Sequence, residues 1–362
     1  MENRDCRPGR RAALLLALLL ALPGADTCEP REPPARPHPC WREPPGGPLI
    51  GFGDGLPMVF WNDPSVRRDG DRYRMWLSGG DLRQDPDALA VAIYEATSPD
   101  GVAWTLDPEP RLRPAGGRAW DSLRTETPEV LRVGDTYHLY YSGCTGTCET
   151  GVYAIGHATS SDGVHFRRDP ANPVIRGHDD TSRWGHSTAA EPAAVVRPSD
   201  GRILLYFVGI RSHADTGRTE FGILAAVSDD GSRFRVVVDE DGEPLPVVRL
   251  AAEDPPEWAG VSHPGTFADP SGRIHLFHSV VTHASPFRTV RIDHRVSDDG
   301  LAFREVERGV VVRRRWHDHM VHAPSPLLEG GGLRLYFAGF IDLSRPRFRA
   351  GIGLAVRRPE CP

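Results

Sequence analysis

Five prolines constrain this chain more than any other feature. Pro64, Pro128, Pro192, Pro264 and Pro324 follow one another at intervals of 64, 64, 72 and 60 residues. Each sits in a short β-prone stretch: Trp61-Asn62-Asp63-Pro64-Ser65-Val66, Thr127-Pro128-Glu129-Val130, Glu191-Pro192-Ala193-Ala194-Val195, His263-Pro264-Gly265-Thr266-Phe267 and Ala323-Pro324-Ser325-Pro326-Leu327. A turn follows each, then an aromatic-rich alternating run, such as Tyr73 to Leu77, Tyr137 to Tyr141 or Leu333 to Phe337. Strand, tight turn and strand, repeated at a near-constant period, mean a propeller or a solenoid.

A second motif interleaves with the first. Ser98-Pro99-Asp100-Gly101 leads to Trp104, Ser160-Ser161-Asp162-Gly163 to Phe166, Ser228-Asp229-Asp230-Gly231 to Phe234, and Ser297-Asp298-Asp299-Gly300 to Phe303. Asp-Gly supplies a turn with positive φ, Ser and Asp can bond the turn backbone, and the aromatic is expected to pack between blades. These turns look like sialidase Asp boxes, which are structural elements. The predicted fold is all-β: one five-bladed β-propeller of four-stranded antiparallel blades over 49–362. The last blade lacks a C-terminal fourth strand, so Met58-Val59-Phe60 is expected to complete or flank it.

Ahead of the ring, Arg4, Arg7, Arg10 and Arg11 precede an apolar run from Ala12 to Leu22 that is too short to span a bilayer as a permanent helix. Residues 1–25 therefore read as an export signal, cleaved between Gly24 and Cys28, with a secreted, extracytoplasmic product. A lipid anchor on Cys28 is the alternative. Residues 26–48 are proline-rich and read as an extended linker. The cysteines then meet an oxidising compartment. Cys144 is expected to pair with Cys148, and Cys361 with Cys40 or Cys28; a metal on Cys144 and Cys148 is the competing reading. The net charge is −6, and the arginines are scattered rather than gathered in a stripe. Nucleic acid is therefore not an expected partner. No transmembrane segment is expected, and the protein is read as a monomer.

The leading Trp61-Asn62-Asp63-Pro64 resembles the Trp-x-Asn-Asp-Pro opening of glycoside hydrolase family 32, and Asp63-Pro64-Ser65 is similar to the opening of family 43. The whole domain resembles the five-bladed glycoside hydrolases of families 32, 43, 62, 68 and 117. That resemblance implies a carbohydrate substrate, with the blade 1 aspartate as base or nucleophile, a blade 3 aspartate that tunes pKa or holds the substrate, and a blade 4 glutamate as acid. Asp63 matches the first. Glu191 stands where the second would be, preceded by Ala190 rather than arginine. Blade 4 offers Ser262-His263-Pro264 and no glutamate, which resembles family 117, for which a histidine acid has been proposed.

The residues immediately before the five prolines are Asp63, Thr127, Glu191, His263 and Ala323. Their equal offset predicts one axial basin holding Asp63, Glu191 and His263. Glycoside hydrolysis needs a carboxylate to attack or activate water and an acid to protonate the leaving oxygen. The catalytic candidates are thus Asp63, Glu191, His263 and Glu129, with Glu126 sharing the claim to be the acid. Trp61, Asn62, Glu126, Arg124, His186, Arg211 and His322 are candidates for substrate contact, with Trp184 and His213 near the rim. His317, His319 and His322 look like a metal cluster, but a hydrogen-bonded loop is the preferred reading. No metal ligand set or cofactor is assigned; a structural cation in the axial channel is compatible with the fold. A non-catalytic glycan-binding propeller and a six-bladed sialidase are the alternatives.

Overall fold

A computed structural model describes residues 38–84, 89–145, 153–178, 180, 182–185, 188–213, 215–250, 254, 258–283, 288–342, 349–358 and 360–361. The expected signal, Cys28, Cys148 and His186 lie outside the described residues. The described strands form five antiparallel units. Blade 1 is Val59–Asp69, Arg72–Asp81, Val91–Ser98 and Thr105–Leu112. Blade 2 is Arg124–Val133, Thr136–Cys144 and Ala154–Ser160, edged by the short Arg167–Arg168 and Ile175–Arg176. Blade 3 is Ala190–Val196, Ile203–Ser212, Thr219–Ser228 and Arg235–Val236. Blade 4 is Trp258–Ala268, Ile274–Thr282, Arg288–Ser297 and Arg304–Val312. Blade 5 opens with Met320–Glu329, Gly332–Asp342 and Arg349–Arg357.

The outer edge of blade 5 comes from the other end of the chain. Trp41–Arg42 and Ile50–Gly51 both pair antiparallel with Arg349–Arg357. The expected completion by Met58-Val59-Phe60 is therefore replaced: Val59 and Phe60 open the inner strand of blade 1, opposite Asp81 and Gly80. Trp41 and Arg42, expected in the linker, are part of the propeller. Cys40 bonds Cys361, with the Cα atoms 5.7 Å apart, and so joins the two ends. Of the two expected partners of Cys361, the fold selects Cys40. Cys144 is also a disulfide cysteine.

The ring closes through its inner strands. Each of the five contacts the next in chain order, and the inner strand of blade 5 contacts that of blade 1. Apolar clusters fill the spaces between blades, as where Val59, Trp61 and Met75 of blade 1 meet Tyr336 and Leu354 of blade 5. The Ser-x-Asp-Gly turns form as expected. In the first, Gly101 N–H donates to Ser98 Oγ at 2.8 Å, and the Val102 and Ala103 N–H groups donate to Asp100 Oδ1 at 2.8 Å. Each box glycine has a positive φ, from 70° to 79°. The box aromatics Trp104, Phe234 and Phe303 pack edge-on against Tyr336, Tyr140 and Tyr206 of the preceding blade.

Candidate functional site

Every inner strand breaks register at its proline. The shifts fall between Asn62 and Ser65, Glu126 and Glu129, Ala190 and Ala193, Ser262 and Gly265, and His322 and Ser325. Proline has no N–H to give the ladder, so a bulge is where a strand tolerates it. The residue before each proline is left-handed: Asp63 has φ 49°, Thr127 49°, Glu191 57°, His263 47° and Ala323 51°. None is glycine, and such a conformation costs on the order of 1–3 kcal/mol per residue. The bulge takes these five residues out of strand pairing and turns them to the axis. Together with their prolines and Glu129 they line one depression.

A serine on the second strand holds the bulge of the following blade. Ser78 Oγ donates to Asp63 Oδ2 at 3.0 Å and accepts the Thr127 N–H at 2.8 Å. Ser142 Oγ, which also bonds the Thr127 hydroxyl, accepts the Glu191 N–H at 2.8 Å. Blade 3 has Val208 at that register position, opposite Ala190. Glu191 takes over the task there: its Oε2 accepts the His263 N–H at 2.7 Å. The glutamate in blade 3 thus has a structural partner as well as an axial position.

Burial dominates the electrostatics. Asp63 and Glu191 are 3% and 5% exposed. Desolvation pushes each carboxyl up to about 8, with the Glu126 charge adding to both and the Asp63 charge adding to Glu191. Glu126, buried, accepts from Tyr153 Oη at 2.6 Å and lies beside Arg124; desolvation still raises its carboxyl. Burial drives His322 down to about 3 and His263 well below the usual imidazole range, so both rings are neutral at pH 7. The two rings stack with centroids 4.7 Å apart.

The expected convergence of Asp63, Glu191 and His263 is present. Other candidates sit elsewhere. Trp61 is fully buried in the seam between blades, donating from Nε1 to the Asp54 carbonyl, so it does not face the depression. Asn62 and His322 lie directly behind the lining, with Asn62 Oδ1 and His322 Nε2 2.9 Å apart. Glu129 lines the depression, but its Oε2 accepts from Ser65 Oγ and its Oε1 from the Ala194 N–H, joining three blades. Arg211 pairs with Glu220 and stacks over Trp184, away from the lining; His213 pairs with the same glutamate. The hydrogen-bonded loop preferred for the 317–322 stretch fits His317, which is bonded to Glu43 at 2.8 Å, while His322 lies behind the axial lining. Sequence reading missed Ser78, Ser142 and Tyr153; the recurrence of serine at one second-strand position was the available signal for the first two.

Among the described residues, two groups of side chains could geometrically hold an ion. One is His38, Cys40 and Glu307, but Cys40 is committed to its disulfide. The other is Asp63, His263 and His322, all buried. The second was not foreseen as a ligand set.

No protein-family model matches the chain. Over 184 residues it is 28% identical to uncharacterized proteins of two Mycobacterium tuberculosis strains, CDC 1551 / Oshkosh and ATCC 25618 / H37Rv, covering 49% of this chain and 55% of each relative. The chain thus spans about half the length of the curated relatives it matches. Solved structures align over far more of it. A glycoside hydrolase superposes with TM-score 0.65 at 13% identity, covering 84% of this chain and 90% of that one. The fold is that of the propeller glycoside hydrolases. A family 117 enzyme of Zobellia galactanivorans superposes with TM-score 0.63 at 15% identity, covering 87% and 89% of the two chains. A structure from the GH130 family of mannoside phosphorylases, which contains glycoside hydrolases targeting β-1,2 mannosidic linkages in Candida mannan, does so at 0.61 and 16%, covering 89% and 94%. At these identities the likeness concerns architecture, and the chemistry rests on this chain's own residues.

Proposed function

We propose that this protein is an exported glycoside hydrolase that cleaves poly- or oligosaccharide glycosidic bonds with Asp63 and Glu191. The observation that carries the reading is the pair itself: two buried carboxyls on strained bulges of blades 1 and 3, lining one depression in a glycosidase-type propeller. Burial and mutual repulsion keep a proton on the pair near neutral pH, so one member can donate while the other accepts. Asp63 is the base or nucleophile. Ser78 fixes its Oδ2, and its buried Oδ1 has no hydrogen-bond partner among the described residues. Glu191 is the proton donor. His263 is a poor acid in this setting, because burial and the neighbouring His322 hold it neutral. Export is supported by the disulfides, which persist in oxidising compartments; mass spectrometry of the mature N-terminus would separate soluble protein from a lipid anchor at Cys28.

Screening against aryl-glycosides and a polysaccharide panel should reveal turnover, and Asp63→Asn should lower it by about 10²–10⁴-fold, as for general acid–base groups, with an unchanged circular dichroism spectrum. Wild-type turnover in Asp63→Asn would remove the catalytic assignment. The absence of a carboxylate at Ser262-His263 in blade 4 favours the second reading, a propeller that binds glycan without cleaving it. Saturable glycan binding with no turnover on any substrate would establish that one.

A further inference from the structure

The hydrogen bonds that hold the bulges join into one belt. It starts at Asp63 Oδ2, which accepts from Ser78 Oγ at 3.0 Å. Ser78 Oγ accepts the Thr127 N–H at 2.8 Å, and the Thr127 hydroxyl bonds Ser142 Oγ. Ser142 Oγ accepts the Glu191 N–H at 2.8 Å, and Glu191 Oε2 accepts the His263 N–H at 2.7 Å. There the belt stops. Ser279 stands at the blade 4 position that matches Ser78 and Ser142, opposite Ser262, but its buried Oγ has no hydrogen-bond partner. Blade 5 has Ala338 at that position. The belt therefore spans the arc that carries Asp63 and Glu191, ends on His263, and is absent from the arc through blade 5. Thr127 is its middle link, with the amide tied toward Asp63 and the hydroxyl toward Glu191. The bulge itself does not need that hydroxyl, because Ala323 makes the same left-handed turn in blade 5 without one. A β-branched side chain is poorly suited to a φ of 49°. That cost falls on a residue that lines the depression, 7% exposed, on the blade between those of the two carboxyls.

We propose that Thr127 is a positioning residue for the Asp63–Glu191 pair: its amide and hydroxyl tie the two serine anchors together and so fix the separation of the two carboxyls. The catalytic consequence rests on the glycosidase reading, and the geometry stands without it. Two carboxyls act on one glycosidic bond only at a set separation. A neutral hydroxyl can hold that separation without adding a charge that would alter the protonation of either group. In Thr127→Val the shape and the amide remain and the hydroxyl link is cut. The anchor of Glu191 then slackens, the two carboxyls move apart, and their mutual repulsion weakens.

The test follows the pair directly. The side-chain carboxyl carbons of the full chain, ¹³C-labelled at Asp and Glu, are titrated by NMR and assigned with Asp63→Asn and Glu191→Gln. In the wild type the two should titrate as a coupled pair, in steps more than about 1 pH unit apart. Thr127→Val should bring the steps closer by about 0.5 pH unit or more, and Ser142→Ala, which cuts the same link from the other side, should do likewise. Thr127→Ser, which keeps the hydroxyl, should titrate as the wild type does. On a substrate that is turned over, Thr127→Val should lower kcat about 10–100-fold with KM within about twofold. The alkaline limb of its pH profile should move to lower pH, because weaker repulsion lets the pair lose its proton sooner; Thr127→Ser should restore both. Circular dichroism verifies folding, and Ser142→Ala decides the matter if Thr127→Val does not fold. The proposal is overturned if the folded link-cutting variants titrate as the wild type does, or if Thr127→Ser behaves like Thr127→Val. Movement of the steps in a protein that turns over no glycoside supports the belt and counts against the hydrolase reading alone.

Discussion

Four of the seams between blades share one device, and the seam between blades 4 and 5 is built differently. At equivalent register positions the second strands carry Trp76, Tyr140, Tyr206, Phe277 and Tyr336. Trp76 Nε1 donates to the Gly163 carbonyl at 3.0 Å, and the hydroxyls of Tyr140, Tyr206 and Tyr336 donate to Gly231, Gly300 and Gly101 at 2.8, 2.8 and 2.9 Å. Each acceptor is the glycine of a Ser-x-Asp-Gly turn in the next blade round the ring. Phe277 has no donor, and blade 5 has no such turn. Trp41 packs edge-on against Phe277 instead, with centroids 5.9 Å apart, and its Nε1 donates to Glu307 Oε2 at 2.9 Å. Glu307 is also bonded by Arg357 of blade 5. Where the repeat fails, the chain ends supply the seam, and the disulfide holds those ends in place. The missing hydroxyl and the missing turn are thus one feature: a donor at position 277 would have no glycine carbonyl to meet.

The comparison can be broken most severely at Trp41. Trp41→Ala removes a buried aromatic that only this seam uses, and should cost about 3–5 kcal/mol, read from urea unfolding. A loss below 1 kcal/mol would show that the disulfide alone holds the seam. A reciprocal pair of substitutions has a smaller effect. Tyr206→Phe strands the Gly300 carbonyl and should cost about 1–3 kcal/mol. Phe277→Tyr should also destabilise, by burying a hydroxyl without its partner; stabilisation would mean that the fifth seam holds an acceptor after all.

Acid should produce the smallest difference. Stacked imidazoles lie in both kinds of surroundings: His138 with His157, and His275 with His294 beside Glu307. Burial lowers all four, His138 to about 4. The unfolded chain therefore takes up protons first, near the ordinary value of 6.5. The contribution is whole above that pH and is lost as pH falls toward 4. Between pH 7 and pH 6 the loss is under about 1 kcal/mol per imidazole. Urea midpoints should fall over that interval, and His138→Phe should reduce the drop.

Much of the architecture was legible because its signals are local. A proline cannot serve a ladder, and Ser-x-Asp-Gly makes its turn from its own side chains, so both motifs mark blades without reference to the rest of the chain. The axial position of Asp63, Glu191 and His263 was legible for the same reason, from a common offset to proline. The left-handed backbone there was not, since a residue before proline is ordinarily extended and Thr127, Glu191, His263 and Ala323 carry no glycine-like mark. Nor was the double duty of Glu191, which depends on Val208 standing in another strand where blades 1 and 2 have serine.

The sequence by itself determined the repeat, the number of inner strands and which side chains share their offset, because each depends on neighbours a few residues away. Only the tertiary structure decided that residues 41–51 finish blade 5, that Cys361 takes Cys40, that Trp61 faces the core, and that His322 leaves its sequence neighbours to stand beside His263 and Asp63. Closing a ring brings residues hundreds of positions apart into contact, and which of them meet depends on blade geometry that no local pattern encodes.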